Sequence, residues 1–269
     1  MNVSPQRCLI IGPSWVGDMV MAHSLFMALR ANFPALQIDV LAPAWSKPLL
    51  TAMPEVNQAL EMPLQHGELG LGKRYRLGKT LRDNAYDWAI VLPGSFKAAL
   101  VPFWANIPVR TGYRGEWRYG LLNDIRPLDK NVLTMTIQRF VALGLPAATP
   151  LPPSVTPPRL QVTAEQKTVV QQQFLRTTPS PPLLALCPGA EYGSAKRWLP
   201  EYFAAVARYQ IANGGTVILL GSGKDAALTA AIAAAVPSPR CLDLAGKTSL
   251  AEAMALLALA DKVVSNDSG

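Results

Sequence analysis

The chain has 269 residues, half of them apolar and 16% charged. That is enough for two domains with cores of their own, and it excludes a disordered chain. Its longest apolar runs, residues 98–105 and 226–236, fall short of the ~18 residues that span a bilayer. Residues 8–11 are cut short by Gly12 and Pro13 before they can form a signal-peptide core, so a cytoplasmic protein is expected. Net charge is +7, with 16 Lys and Arg against 10 Asp and Glu through residue 160 and 9 against 8 beyond it. The basic first half suits an anionic partner (nucleic acid, a membrane surface or an acidic substrate) or ordinary solubility. Cys8, Cys187 and Cys241 are odd in number and widely spaced, which gives neither a disulfide framework nor a zinc site.

In chain order, residues 7–11 are predicted as a buried strand and 12–17 as a loop. Residues 18–32 are predicted as a helix with Met19, Ala22, Phe26 and Leu29 on one stripe. Residues 37–41 form the next strand, ended by Ala42 and Pro43. A basic helix over 73–84 leads to a strand over 87–92 and a Pro93-Gly94-Ser95 turn. Residues 131–143 read as helix. Residues 146–158 hold six prolines in 13, which block helix and ladder alike and predict a linker. Beyond it come a helix over 164–176 and a prolyl stretch over 179–182. Strands at 183–187, 216–220, 240–244 and 262–265 then alternate with helices at 200–212, 224–236 and 250–259. The pattern predicts two α/β domains, 1–160 and 161–269, each with a parallel sheet covered on both faces. The second shows about four strands and is expected to continue past Gly269.

Ligands of open parallel sheets bind beyond the carboxyl ends of the strands, so the loops there are the candidate sites. Gly12-Pro13-Ser14-Trp15-Val16-Gly17-Asp18 lacks the middle glycine of a dinucleotide fingerprint and the lysine of a P-loop. What remains is Asp18 in the first turn of a helix. It is either a favourable helix-terminal charge or a catalytic base kept ionised by the helix dipole. Lys196 and Arg197 precede the helix at Pro200 and can form an anion site with its N–H groups, or lie in a solvated loop. Gly221-Ser222-Gly223-Lys224-Asp225 and Ser265-Asn266-Asp267-Ser268-Gly269 are two further strand-end loops, suited to ribose hydroxyls, phosphate or plain turns. The cations of 73–82 are spaced as a solvated helix face. Lys97, Arg110, Arg114 and Arg118 are better candidates for gripping an anion, the arginines bidentately from a glycine-containing loop at 110–116. His23 and His66 have no metal-ligand spacing, and His23 reads as structural.

Together these residues resemble the lipopolysaccharide heptosyltransferases of glycosyltransferase family 9. The resemblance runs the whole length, through residues 12–19 (GPSWVGDM), 42–45 (APAW), 53–57 (MPEVN), 95–102 (SFKAALVP), 110–123 (RTGYRGEWRYGLLN), 187–198 (CPGAEYGSAKRW) and 266–269 (NDSG). It implies a GT-B architecture, two Rossmann-like domains facing across a cleft. The first would hold an acceptor, heptosyl-Kdo-lipid A at the inner face of the inner membrane. The second would hold ADP-L-glycero-D-manno-heptose. The family inverts the anomeric centre and uses no metal or other cofactor. Its catalytic aspartate matches Asp18, its donor-binding lysine Lys196, and an acid that contacts the donor nucleotide Asp225. Its D-[ST]-G-x-x-H loop matches Asp267, Ser268 and Gly269, which puts the histidine three positions past the end of this chain. Lys97, Arg110, Arg114 and Arg118 are then acceptor-binding residues, and no nucleic acid is required.

Alternatives stay open on the residues alone. One is a related transferase using another nucleotide sugar. Another is a non-catalytic protein that binds nucleotide or acceptor. A nucleic-acid binder is the third, although the basic stretches lack aromatic interleaving.

Overall fold

The computed structural model describes residues 4–64, 67–175, 181–190 and 196–266. The chain divides into two compact units between Gln161 and Val162. In the first, β1 (Arg7–Ile11), α1 (Val16–Asn32), β2 (Gln37–Ala42), α2 (Lys47–Thr51) and β3 (Val56–Glu61) are followed by α3 (Leu71–Thr80) and β4 (Trp88–Val91). Then come α4 (Leu100–Trp104), β5 (Val109–Tyr113), β6 (Asp124–Arg126) and α5 (Thr136–Leu143). The six strands are parallel, in the order β3-β2-β1-β4-β5-β6. The winding reverses between β1 and β4. With right-handed crossovers, this reversal places helices on both faces and opens a crevice at the carboxyl ends of those two strands.

β1 is buried on both sides, as a central parallel strand must be. Leu9 and Ile11 share one core with Val91, Val101 and Ile107, against which Leu77 of α3 packs. Cys8 and Ile10 point to the other face and are fully buried. On α1, Met19, Ala22, Leu25, Phe26 and Leu29 form the buried stripe that the helical period predicts. Two glycines set helix packing. A Cβ on Gly144 would lie 2.5 Å from Leu25 Cδ1, where α1 meets α5, and one on Gly78 would lie 2.7 Å from Trp104 Cβ, where α3 meets α4.

Three strands escape the sequence pattern. β3 is an edge strand of mixed polarity, half exposed. β6 has three residues. β5 occupies part of what was predicted as a glycine-containing loop over 110–116. Gly112 belongs to the strand because a Cβ there would lie 2.9 Å from Leu122 Cδ1 and 3.3 Å from Val91 O, a close backbone approach rather than a turn. The helix predicted from 131 begins at Thr136.

The prolyl stretch is extended, but its later part is fastened to the first unit. Ser24 Oγ donates to Thr156 O at 2.5 Å, Gln161 N to Ala52 O at 2.8 Å, and Arg159 N to His23 Nδ1 at 3.3 Å. Because Nδ1 accepts, the proton of this buried ring sits on Nε2 and is donated to Glu55 Oε2 at 2.7 Å. His23 is therefore structural, as its sequence context suggests.

The second unit contains α6 (Ala164–Phe174), β7 (Leu183–Cys187), α7 (Pro200–Ala212), β8 (Thr216–Leu219), α8 (Ala226–Ala234), β9 (Cys241–Asp243), α9 (Leu250–Leu257) and β10 (Lys262–Ser265). Thr163 with Gln166 and Ser249 with Glu252 form capping boxes that start α6 and α9. The parallel sheet runs β10-β7-β8-β9, with one core on each face. Its winding reverses between β7 and β10, so this unit has a switch-point crevice of its own.

Candidate active site

In the first unit an open cleft of about 530 Å³ lies at the switch point. Gly12 and Ser14 line it from the loop after β1, Ala42 and Pro43 from the end of β2, and Pro93, Ser95 and Lys97 from the loop after β4. Gly12 is tightly surrounded here: a Cβ would lie 2.8 Å from Met19 Cε and 3.1 Å from Ala42 Cβ.

Asp18 stands in the first turn of α1, directly after the β1 loop. It is half-buried. Trp15 is the N-cap residue and carries no side-chain capping bond. Asp18 has no hydrogen-bond or ion-pair partner among the described residues. Burial pushes its carboxyl above the usual aspartate value. The sequence reading gave the helix dipole the deciding influence. Desolvation opposes it and sets the direction. The result is a better proton acceptor than an exposed aspartate, in the first turn of the helix that follows the cleft-lining loop of Gly12 and Ser14.

The predicted cations divide. Lys97 is partly exposed, lines the cleft and has no hydrogen-bond or ion-pair partner among the described residues. Arg114 is exposed just past β5, and its side chain has no hydrogen-bond or ion-pair partner among the described residues. Arg110 and Arg118 are bonded to backbone carbonyls of their own unit. Arg110 donates to Leu121 O at 2.6 Å and Ile107 O at 2.5 Å and lies over the Phe103 ring. Arg118 is 2% exposed and donates to Pro93 O at 2.7 Å and to Tyr113 O. Burial lowers the pKa of both guanidinium groups, and Glu116 partly offsets it for Arg118. Arg118 thus ties the loop after β4 to the end of β5, and Glu116 strengthens the tie by accepting from Phe96 N at 2.9 Å. These two arginines fasten the segments around the end of β5.

One cleft residue escaped the sequence reading. Arg74 was grouped with the solvated face of 73–82, but it is 5% exposed and lines the cleft. Its Nε donates to Leu69 O at 2.7 Å and its Nη2 to Glu68 O at 3.2 Å, which fixes the cleft wall ahead of α3. The signal was present: residues 74, 78 and 81 repeat at helical spacing and are the buried side of this segment.

In the second unit the loops after β7, β8 and β10 meet at the other switch point. Asn266, 8% exposed, donates from Nδ2 to Pro188 O at 2.7 Å and accepts from Trp198 N at 2.9 Å. Arg197 donates to Ala190 O at 2.9 Å, so its charge serves its own loop. Asp225 accepts from Ser222 N at 2.8 Å and Ser222 Oγ at 2.7 Å. A Cβ on Gly189 would lie 2.5 Å from Asp225 Oδ1, so the β8 loop packs directly on the β7 loop. Asp225 therefore organises two loops, whatever else it contacts. Lys196 is exposed ahead of α7 and already engaged. Asp267, Ser268 and Gly269, and His66 in the first unit, lie outside the described residues. Asn266 was only a member of a motif in the sequence reading. Its place directly after a strand, β10, was the available hint.

Among the described residues, no cluster of His, Cys, Asp or Glu can hold a metal ion, and no helix is long and apolar enough to cross a membrane.

Known proteins carry the same plan. Residues 74–269 match the model of glycosyltransferase family 9 (heptosyltransferase). The chain is 49% identical to lipopolysaccharide heptosyltransferase 2 of Salmonella typhimurium, over 98% of this chain and 78% of that protein. It is similar to the solved structure of E. coli ADP-heptose LPS heptosyltransferase II, with a TM-score of 0.89 and 44% identity over 97% of this chain and 79% of that one. A family 9 glycosyl transferase from Veillonella parvula shares the fold at 17% identity, with a TM-score of 0.85 over 100% of this chain and 78% of that one. Sequence and fold agree, and the chain belongs to glycosyltransferase family 9, the heptosyltransferases.

Proposed function

We propose that this enzyme transfers heptose from ADP-heptose to the heptosyl-Kdo-lipid A inner core of lipopolysaccharide, with inversion and without metal. The first unit holds the acceptor and the second the donor. The observation that carries the mechanism is Asp18, a half-buried carboxylate with no described partner, its pKa raised by burial, in the first turn of the helix whose preceding loop lines the switch-point cleft. Asp18 accepts the proton of an acceptor hydroxyl as that oxygen forms its bond to the anomeric carbon. The C–O bond to ADP breaks on the opposite side, and the electron pair leaves with the diphosphate. Lys196 and the N-terminus of α7 meet that charge. Lys97, and Arg114 beyond it, attract the anionic acceptor.

Asn266 and Asp225 hold the donor loops in position, and Asp267, Ser268 and Gly269 complete that binding loop. The relative named for ADP-heptose and lipopolysaccharide supports the substrate assignment at 44% identity. The test is D18N. Transfer is expected to fall by about 10²–10⁴-fold while ADP affinity, measured by calorimetry, stays unchanged. Transfer near the wild-type rate would refute the assignment of Asp18.

A further inference from the structure

We propose that the outer face of α3 and α4 is a docking surface for an anionic lipid bilayer. Leu71, Tyr75, Lys79 and Arg82 recur at helical spacing and form one outward stripe, with exposed Arg76 beside Tyr75 on the same helix. Leu71 is 49% and Tyr75 43% exposed, and both cations are exposed. Trp104 of α4 meets Tyr75 edge-on at 5.6 Å, and Lys79 lies over the Tyr75 ring at 5.4 Å. Arg82 donates to Trp104 O at 2.9 Å, and exposed Phe103 extends the patch. Gly78 lets the two helices approach closely enough for these side chains to form one surface. Residues 69–82 contain no acid and five cations, of which Arg74 is buried and Lys73 pairs with Glu68 at 3.2 Å.

Exposed apolar and aromatic side chains beside lysine and arginine are the composition of a surface that lies in a membrane interface. The cations complement anionic headgroups, and the rings suit the headgroup boundary. The other side of the same helix gives a reason for the placement, because Arg74 on it lines the cleft. A lipid-linked acceptor could leave its acyl chains in the bilayer and present its sugars one helix diameter away. The sequence hid this surface because its aromatic residues come from two different helices. The purpose of the surface rests on the proposed transfer to a lipid-linked acceptor, but its existence does not.

The experiment measures partitioning of the full chain, without donor or acceptor, onto phosphatidylglycerol–phosphatidylcholine vesicles and onto phosphatidylcholine alone. Wild type is expected on the anionic vesicles only, with release at high salt. Each lysine or arginine near an anionic surface is worth about fivefold, so the double variant R76E/K79E is expected to bind at least about 25-fold more weakly. L71Q tests the apolar contribution at constant charge, with an expected loss of about three- to tenfold. Unchanged melting temperatures establish that both variants fold. Equal binding to neutral vesicles, no binding, or full binding by R76E/K79E would overturn the proposal. So would retention of duplex nucleic acid through the same residues in place of vesicles. Transfer to a deacylated, water-soluble acceptor is a separate readout. It is expected to be unchanged in R76E/K79E, and its absence in wild type would sink the transfer reading while leaving the vesicle result standing.

Discussion

The two crevices occupy equivalent places, each at the reversal of strand order in a parallel sheet, yet they are built differently. In the first, the side chains proposed to act on the acceptor, Asp18 and Lys97, make no bond to their described surroundings, while Arg110 and Arg118 donate to backbone carbonyls. In the second, the described polar groups bind one another. Asn266 bridges two strand-end loops, Arg197 closes its own, and Asp225 caps a third while resting on Gly189. A group that must exchange a proton works best uncommitted, whereas a diphosphate is held by backbone N–H groups whose positions must be fixed. One crevice has uncommitted polar side chains and the other has loops tied to one another, which is the contrast the proposed division of labour requires.

The largest effect that can break this contrast is at Asp18. Beyond the loss of transfer in D18N, the pH profile is diagnostic. A base must be ionised, so kcat/KM rises with pH through the carboxyl's pKa. Burial raises that pKa, and the acid limb is expected above the ordinary aspartate range. The same burial makes the charged form unfavourable in the fold above that pKa, so D18N is expected to melt no lower than wild type. A D18N protein that unfolds readily would show Asp18 to be structural.

Next in size is Lys97→Ala. It is expected to raise KM for the acceptor by about ten- to a hundredfold, the loss of a charge-assisted bond, with ADP affinity unchanged. Asn266→Ala should do the reverse: ADP binding about tenfold weaker, acceptor KM unchanged, and stability lower by about 1–3 kcal/mol as buried carbonyl and N–H partners lose their bonds. If both substitutions shifted both affinities alike, the division of labour would be wrong. Smallest in function, though not in stability, is His23→Leu. It leaves Glu55 and Arg159 N unpartnered and is expected to cost about 1–3 kcal/mol in chemical denaturation with both KM values unchanged.

Much of the frame was legible because burial leaves a period in the sequence. The α1 stripe and strands β1, β2, β4, β7 and β8 are apolar where they must be. β3, β5 and β6 were hidden because edge exposure and the glycine at 112 erase the apolar pattern, and only three-dimensional neighbours such as Leu122 explain that glycine. Asp18 and Lys97 were readable from position in their motifs. The inward turn of Arg74, Arg110 and Arg118 was not, because an arginine's length lets it reach backbone carbonyls that are distant in sequence. Charge type was evident from the residues, but whether a charge faced ligand or backbone was decided by folding.

The anchoring of the prolyl stretch has a practical consequence for anyone dividing this chain. The segment joining the units contributes to the stability of the first one, since Thr156, Arg159 and Gln161 occupy partners on α1 and beside α2. A fragment ended at Leu145, where the last helix of the first unit has finished, would leave Ser24 and His23 facing water and uncover the apolar surface around them. Ended after Gln161, the same fragment would keep its own seal. Any excision of the first unit, or its transfer to another protein, should therefore carry the prolines with it.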